Sequence, residues 1–356
     1  MAVIESGASG GFALRPQAET STTSNRQRIE RWSGIAMLSI IGLVVISGSP
    51  GEVGADIQRS VWLAFRFLFL SPLSVLILAT IFALEWKFPA RPDQRGMSPM
   101  VIMDSLYLIV TRPVAIVVAA VIIQPGREFV ETTIGSLSIE GFVQLPTLAI
   151  LVIGVAIGDA ALWLSHLIRH KVPFLWRFHM VHHSQERLSV FSASRDHPLD
   201  SLFESFIMLI PLAVLFPDIV ADAQTLTLYA IGVTWFIRFT HSNIATNLGP
   251  LRWILVTPQS HRIHHSREPE HWNSNYANIF AWDRLFGLQH DDDTSFPETG
   301  VNNPDFPSPK SYSPAELARC FAGQLYFPFD TTAVDIATRA PVPEHSRPPG
   351  EDTREQ

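Results

Sequence analysis

The sequence predicts an all-α integral membrane protein: about four transmembrane helices plus a membrane-dipping helical hairpin, under a histidine-rich helical cap. Three observations carry that expectation. Of the 356 residues, 47% are hydrophobic and only 17% charged, and the mean hydropathy is +0.19, a composition depleted in charge for a soluble chain. Several apolar runs approach or exceed the ~20 residues that a helix needs to cross ~30 Å of hydrocarbon. Ten of the 13 histidines fall between His166 and His265, in spacings that repeat.

Residues 1–30, rich in Ser, Thr, Gly and Gln, read as a disordered tail without the apolar core of a signal peptide. Residues 31–145 are expected to hold the first three spans: Ile35–Ser47, the shortest, then Val61–Trp86 and Met100–Gln124. Leu145–Leu167 supplies the fourth. Arg26, Arg28 and Arg31, then Lys87, Arg91 and Arg95, then Arg169, Lys171 and Arg177 flank the spans on one side. The opposite loops, 48–60 and 125–144, set Arg59 and Arg127 against Glu52, Asp56, Glu128, Glu131 and Glu140. The positive-inside rule makes the first side cytoplasmic, and the histidines lie on it. Leu199–Ile219 and Gln224–Phe239 are apolar but interrupted by Glu204, Pro211, Pro217 and Asp218, so they read as a hairpin dipping into the membrane. Residues 290–356 form a polar, partly disordered tail, with Pro341–Gln356 its most disordered part.

A net charge of -7 with no zinc-finger or phosphate-loop signature sets nucleic acid aside. The single cysteine, Cys320, excludes an intrachain disulfide framework and a thiolate cluster, so a metal here would be held by nitrogen and oxygen.

"HLIRH" places His166 and His170 on one helix face. "HMVHH" does so for His179, His182 and His183, and "HRIHH" repeats the pattern 82 residues later with His261, His264 and His265. Pro173 closes one helix and opens the next. Thr257 and Pro258 read as N-cap and first helical residue of the last box, and His197–Pro198 forms a similar junction. Eight clustered imidazoles would repel when protonated and leave unpaired nitrogens when buried neutral, so a common metal site accounts for them. His197 and His241 are further candidate ligands, against capping or hydrogen-bonding roles, while His271, His290 and His345 lie outside the boxes and read as solvated. Eight to ten histidines exceed what one ion uses and imply two ions; iron, copper and zinc all suit imidazole, and the lipid setting favours iron. Asp159, Trp163, His166 and His170 form one helix stripe. A carboxylate that deep is a partner for a histidine N–H, a polar contact for substrate, or a pairing with another helix. Asp104 and Arg112 pose the same choice. Trp272, Trp282 and Phe286 read as interfacial anchors.

The three boxes in this order, followed by "NYANIFAWDRLFG" at 275–287, resemble the fatty acid hydroxylase superfamily of sterol desaturases and C-4 methyl oxidases, sphingolipid hydroxylases and alkylglycerol monooxygenase relatives. The resemblance covers roughly 159–288, within a catalytic domain expected at 146–289. Its RxHP element falls on Arg195, His197 and Pro198, and its HSN element on His241, Ser242 and Asn243; Ala277 stands where the pattern has glycine. The resemblance implies an oxygenase with two non-haem metal ions, iron above all, using O2 to hydroxylate or desaturate a lipid. It also implies a separate electron donor, a reductase with a haem or iron–sulfur carrier, and surrounding membrane lipids. Metal ligands would be His166, His170, His179, His182, His183, His197, His241, His261, His264 and His265, with Asp159 and Asn243 as candidate catalytic residues. The expected location is a bacterial cell membrane. A metallohydrolase or isomerase using the same cage, or a non-enzymatic metal carrier, are the alternatives.

Overall fold

The computed structural model describes residues 66, 69–111, 113, 132–133, 146–215, 223–292 and 294–330. Outside them lie the 1–30 tail, the first span, loop 48–60, nearly all of loop 125–144, Arg112 and the third span beyond Pro113, the hairpin turn with Pro217 and Asp218, His345 and Pro341–Gln356. The described residues are mostly helical, with isolated bridges at Pro89–Ile244, Leu255–Phe280 and Ser266–Thr299 as their only extended pairing.

Helix α1 spans Pro72–Lys87, started by Ser71, whose hydroxyl accepts from the Ser74 N–H. Helix α2 is Pro99–Thr111, where the Ser98 hydroxyl accepts from Val101 N–H. Helix α3, Thr147–Lys171, is the longest. Its Leu151–Lys171 portion is the one stretch among the described residues long and apolar enough to cross a membrane. Val172 ends α3 and starts α4, Pro173–His183, so one residue makes the corner, with Pro173 in the first helical turn where a missing N–H does no harm. Helices α5, Pro198–Leu215, and α6, Ala223–Thr240, fall on the two apolar stretches for which a hairpin is expected. Helix α7, Pro258–His264, opens with a reciprocal cap: Thr257 Oγ1 accepts from Ser260 N–H, and Ser260 Oγ accepts from Thr257 N–H. Helices α8, Trp282–Leu285, and α9, Pro314–Tyr326, follow.

Helix α3 packs against α4, α5 and α6. Apolar residues also face outward: Leu73, Val75, Leu76, Phe82 and Trp86 on α1, and Leu148, Val152 and Leu164 on α3, a distribution that suits lipid contact better than water. One core cluster joins Met103 and Tyr107 of α2, Met180 and Val181 of α4, Phe306, and Leu317, Cys320 and Leu325 of α9. The segment after His290, polar by composition, therefore folds back beneath the histidine-bearing α4. Its apolar positions recur at helical spacing inside a Pro- and Ser-rich context that hides them. A second cluster ties Ile81 of α1 to Val190 and to Ile231 and Trp235 of α6.

Buried charge supplies the rest of the frame. Asp104 on α2 accepts from Arg195 Nε at 2.6 Å and from Ser192 Oγ at 2.9 Å, and Arg195 Nη2 donates to Met100 O. This is the helix pairing left open for Asp104. Both side chains are fully buried. Removing one partner of such a pair costs about 3–5 kcal/mol, because the other charge stays buried alone. Asp104→Ala is therefore expected to lower the unfolding temperature of detergent-solubilised protein markedly, and Asp104→Ala with Arg195→Met to recover much of it. An Asp104→Ala protein that melts like the wild type would show that the pair does not hold α2 to the 192–195 turn.

Candidate metal centre

Nine of the ten predicted histidines gather into two groups. His166 and His170 from α3, His179 and His183 from α4, and His264 from α7 offer one nitrogen each within 4.8 Å of one another; His182, His241, His261 and His265 form the second group on the same criterion. The division explains the doubled HxxHH. In the α4 box, the first and last histidines serve the first group and His182 serves the second. In the α7 box, His261 and His265 serve the second group and His264 crosses to the first. Positions i and i+4 share one direction and i+3 is rotated from them, so each short helix feeds both groups. His183 and His265 stack at 4.4 Å between ring centroids where the groups meet.

Hydrogen bonds set the tautomers. The Nδ1 of His166 lies 2.7 Å from Tyr276 O, that of His264 2.8 Å from Ser274 O, and that of His241 2.7 Å from Ile237 O. A carbonyl oxygen only accepts, so these Nδ1 atoms carry the proton and Nε2 is left a bare lone pair. His179 Nδ1 meets Asp200 Oδ2 at 2.9 Å, and His182 Nδ1 meets Asp196 Oδ1 at 3.0 Å. The bare nitrogens then face one another: Nε2 of His166 and His264 at 3.0 Å, of His182 and His241 at 3.2 Å. Two lone pairs at that distance repel. Nε2 of His170, His179 and His183 are buried with no hydrogen-bond partner. Burial holds His179, His183, His261 and His265 well below the ordinary imidazole pKa, and His264 down at about 3. Neutral imidazoles with inward lone pairs are what a borderline metal cation binds, and the donor set fits one cation per group.

The remaining predicted residues lie outside the two groups. His197 joins neither group: its Nδ1 accepts from Leu199 N–H and its Nε2 donates to Leu325 O, so both nitrogens are occupied and the ring clips α5 to α9. Asp159 accepts from Ile279 N–H, Phe280 N–H and Trp282 Nε1, so its carboxylate ties α3 to the 279–282 segment. Asn243 Oδ1 accepts from Arg91 N–H and from Arg262 Nη2, and its Nδ2 donates to Arg91 O. It braces the ends of α1 and α7. Trp282 thus points inward, while Phe286 is exposed and stacks on Trp163. His271, expected in solvent, is buried, with Nδ1 at 2.9 Å from Ser266 Oγ. Ala277 has no positive φ, so the turn does not require glycine there. Sequence reasoning missed Asp196 and Asp200; the available signal was a carboxylate on each side of His197–Pro198.

Residues 151–288 match the family model for fatty acid hydroxylases. This part of the chain is similar to the fatty acid hydroxylases. All nine gathered histidines lie within the match. Ornithine lipid hydroxylase OlsE of Rhizobium tropici is 35% identical over 52% of this chain and 52% of its own length. Alkylglycerol monooxygenase of Xenopus tropicalis is 36% identical, and that of Homo sapiens 33%, each over 36% of this chain and 28% of its own length. The chain thus spans about half, or less, of the curated relatives that it matches. No solved structure matches it.

The metal-free protein with these imidazoles should be acid-sensitive. Unfolded histidines take up protons below about pH 6.5, whereas the buried ones resist until far lower, so the unfolded state binds more protons. Stability is then expected to fall as pH drops from 7 to 5, read as a decreasing unfolding temperature of the metal-free full-length protein. A flat profile over that window would contradict the buried neutral state.

Proposed function

We propose that this protein is a membrane-bound, O2-dependent lipid hydroxylase whose two histidine groups each hold a non-haem metal ion, iron in the working enzyme. The observation that carries this reading is the convergence of nine imidazoles, five of them with Nδ1 held by an outward carbonyl or carboxylate, at one end of the apolar helix α3. A pair of redox-active ions there supplies the power to activate O2 for attack on an unactivated C–H bond. His166, His170, His179, His183 and His264 would hold one ion, and His182, His241, His261 and His265 the other. The chain itself fixes tautomers through backbone carbonyls and Asp196 and Asp200. It also shields the ligands from bulk water with Met180, Val181 and Ile263, fully buried between the box histidines.

The relatives' names support hydroxylation of a lipid over desaturation, since one is called a lipid hydroxylase and the other a monooxygenase. A metal carrier would spread ionisable groups along a crossing path, whereas these collect at one end. We place the site on the cytoplasmic face of a multi-pass protein in a bacterial membrane, from the distribution of Lys and Arg. Electrons come from a separate reductase and carrier.

The balance is one C–H bond, one O2, two electrons and two protons giving one C–OH and one water. Iron-loaded protein in nanodiscs containing bacterial lipid extract, with a ferredoxin and its reductase, is expected to place one 18O atom from 18O2 in a lipid product, detected by mass spectrometry. Turnover at full rate without O2 and reductant would transfer the assignment to a metallohydrolase or isomerase.

A further inference from the structure

The segment 195–200, "RDHPLD", touches the ligands of both histidine groups. Arg195 is pinned to α2 through Asp104 and Met100 O, and its own carbonyl lies 3.3 Å from His182 Nδ1. Asp196 Oδ1 reaches the same Nδ1 at 3.0 Å. His197 is locked at both nitrogens, to Leu199 and Leu325. Asp200, in the first turn of α5, sets Oδ2 at 2.9 Å from His179 Nδ1 and receives Arg169 Nη1 at 2.9 Å. Arg169 Nη2 donates to Glu204 Oε2 at 2.6 Å. Arg169 Nη1 and His179 Nδ1 lie 3.2 Å apart, but both carry protons, so Asp200 Oδ2 is the acceptor that they share.

His179 belongs to the first group and His182 to the second. One rigid turn therefore supplies one carboxylate to one ligand of each group. Nine histidine side chains bring no negative charge to two cations, and both carboxylates are buried, where charge acts through a low dielectric. Asp200 could instead serve the N-terminal dipole of α5. Its Oδ2 is spent on His179 and Arg169, so its direction is set by the ligand.

We propose that Asp196 and Asp200 are paired positioning residues, one for each metal ion: each fixes the Nδ1–H tautomer of one box histidine and lends it anionic character, so that the two ions can be tuned separately from a single turn. This rests on the two-ion reading above. Outer carboxylates of this kind typically change metal affinity by about 10–100-fold when removed.

The test is a Co(II) titration of metal-free full-length protein, followed by visible absorption and metal content. Wild type is expected to take up two ions. Asp200→Ala should weaken one of them by about 10–100-fold and leave the other, and Asp196→Ala should weaken the complementary one. Asp200→Asn keeps an acceptor but loses the charge, so it should retain two ions while shifting the absorption bands of one, and Asp200→Glu should move them back. Glu204→Gln touches Arg169 but no histidine and should leave the bands in place. Identical titrations in wild type and both alanine variants would overturn the assignment, as would band shifts in Glu204→Gln equal to those in Asp200→Asn, or equal weakening of both ions by either single variant. A wild type that binds one ion or none would overturn the two-ion reading, and this assignment with it.

Discussion

Every imidazole whose proton is committed to an outward carbonyl or carboxylate turns a lone pair toward the centre, and the surrounding fold must hold those lone pairs together against their repulsion. The Nε2 atoms of His166 and His264, and of His182 and His241, face one another at hydrogen-bonding distance with no hydrogen between them. Such an arrangement is unfavourable by itself, both through repulsion and through the loss of water from buried acceptors. It persists because the surrounding frame over-determines each ring, and a cation bound there would turn the same geometry into the favourable one.

The frame is built from buried ion pairs as much as from apolar packing. Asp104 with Arg195, and Arg169 with Asp200 and Glu204, link α2, α3 and α5 to the 192–200 segment. Glu85 of α1 accepts the backbone N–H groups of Val190 and Asn243, which ties a fourth element to the same region. Such pairs bring little net stability compared with apolar residues of equal volume, but they are directional. Ligands that must aim within fractions of an ångström need direction more than cohesion.

The parts of this arrangement that follow from helical spacing were legible in the chain. Box order, the corner at Pro173, the cap at Thr257 and the start of α5 at Pro198 all depend on local rules, and the structure repeats them. Roles that depend on long-range pairing were not. Asp159 looks like a site residue because it lies on the His166 stripe, yet its partners come from about 120 residues further on. Asn243 and His197 sit beside true cluster members but bond to α1's end and to α9. Nor could spacing say that the i+3 histidine of each box crosses to the other group, which requires knowing how α4 and α7 face each other.

The packing of α9 beneath α4 has a temporal side. The second box is complete at His183, but Leu317, Cys320 and Leu325, which close the core under it, emerge from the ribosome about 140 residues later. At the usual ~5–20 residues per second, α4 spends about 7–28 s without its floor, while α3, α5 and α6 are already seeking their places. The floor under α4 is thus supplied by a segment made after the last histidine box, so the apolar underside of α4 stays uncovered while the other box-bearing elements are already available to fold.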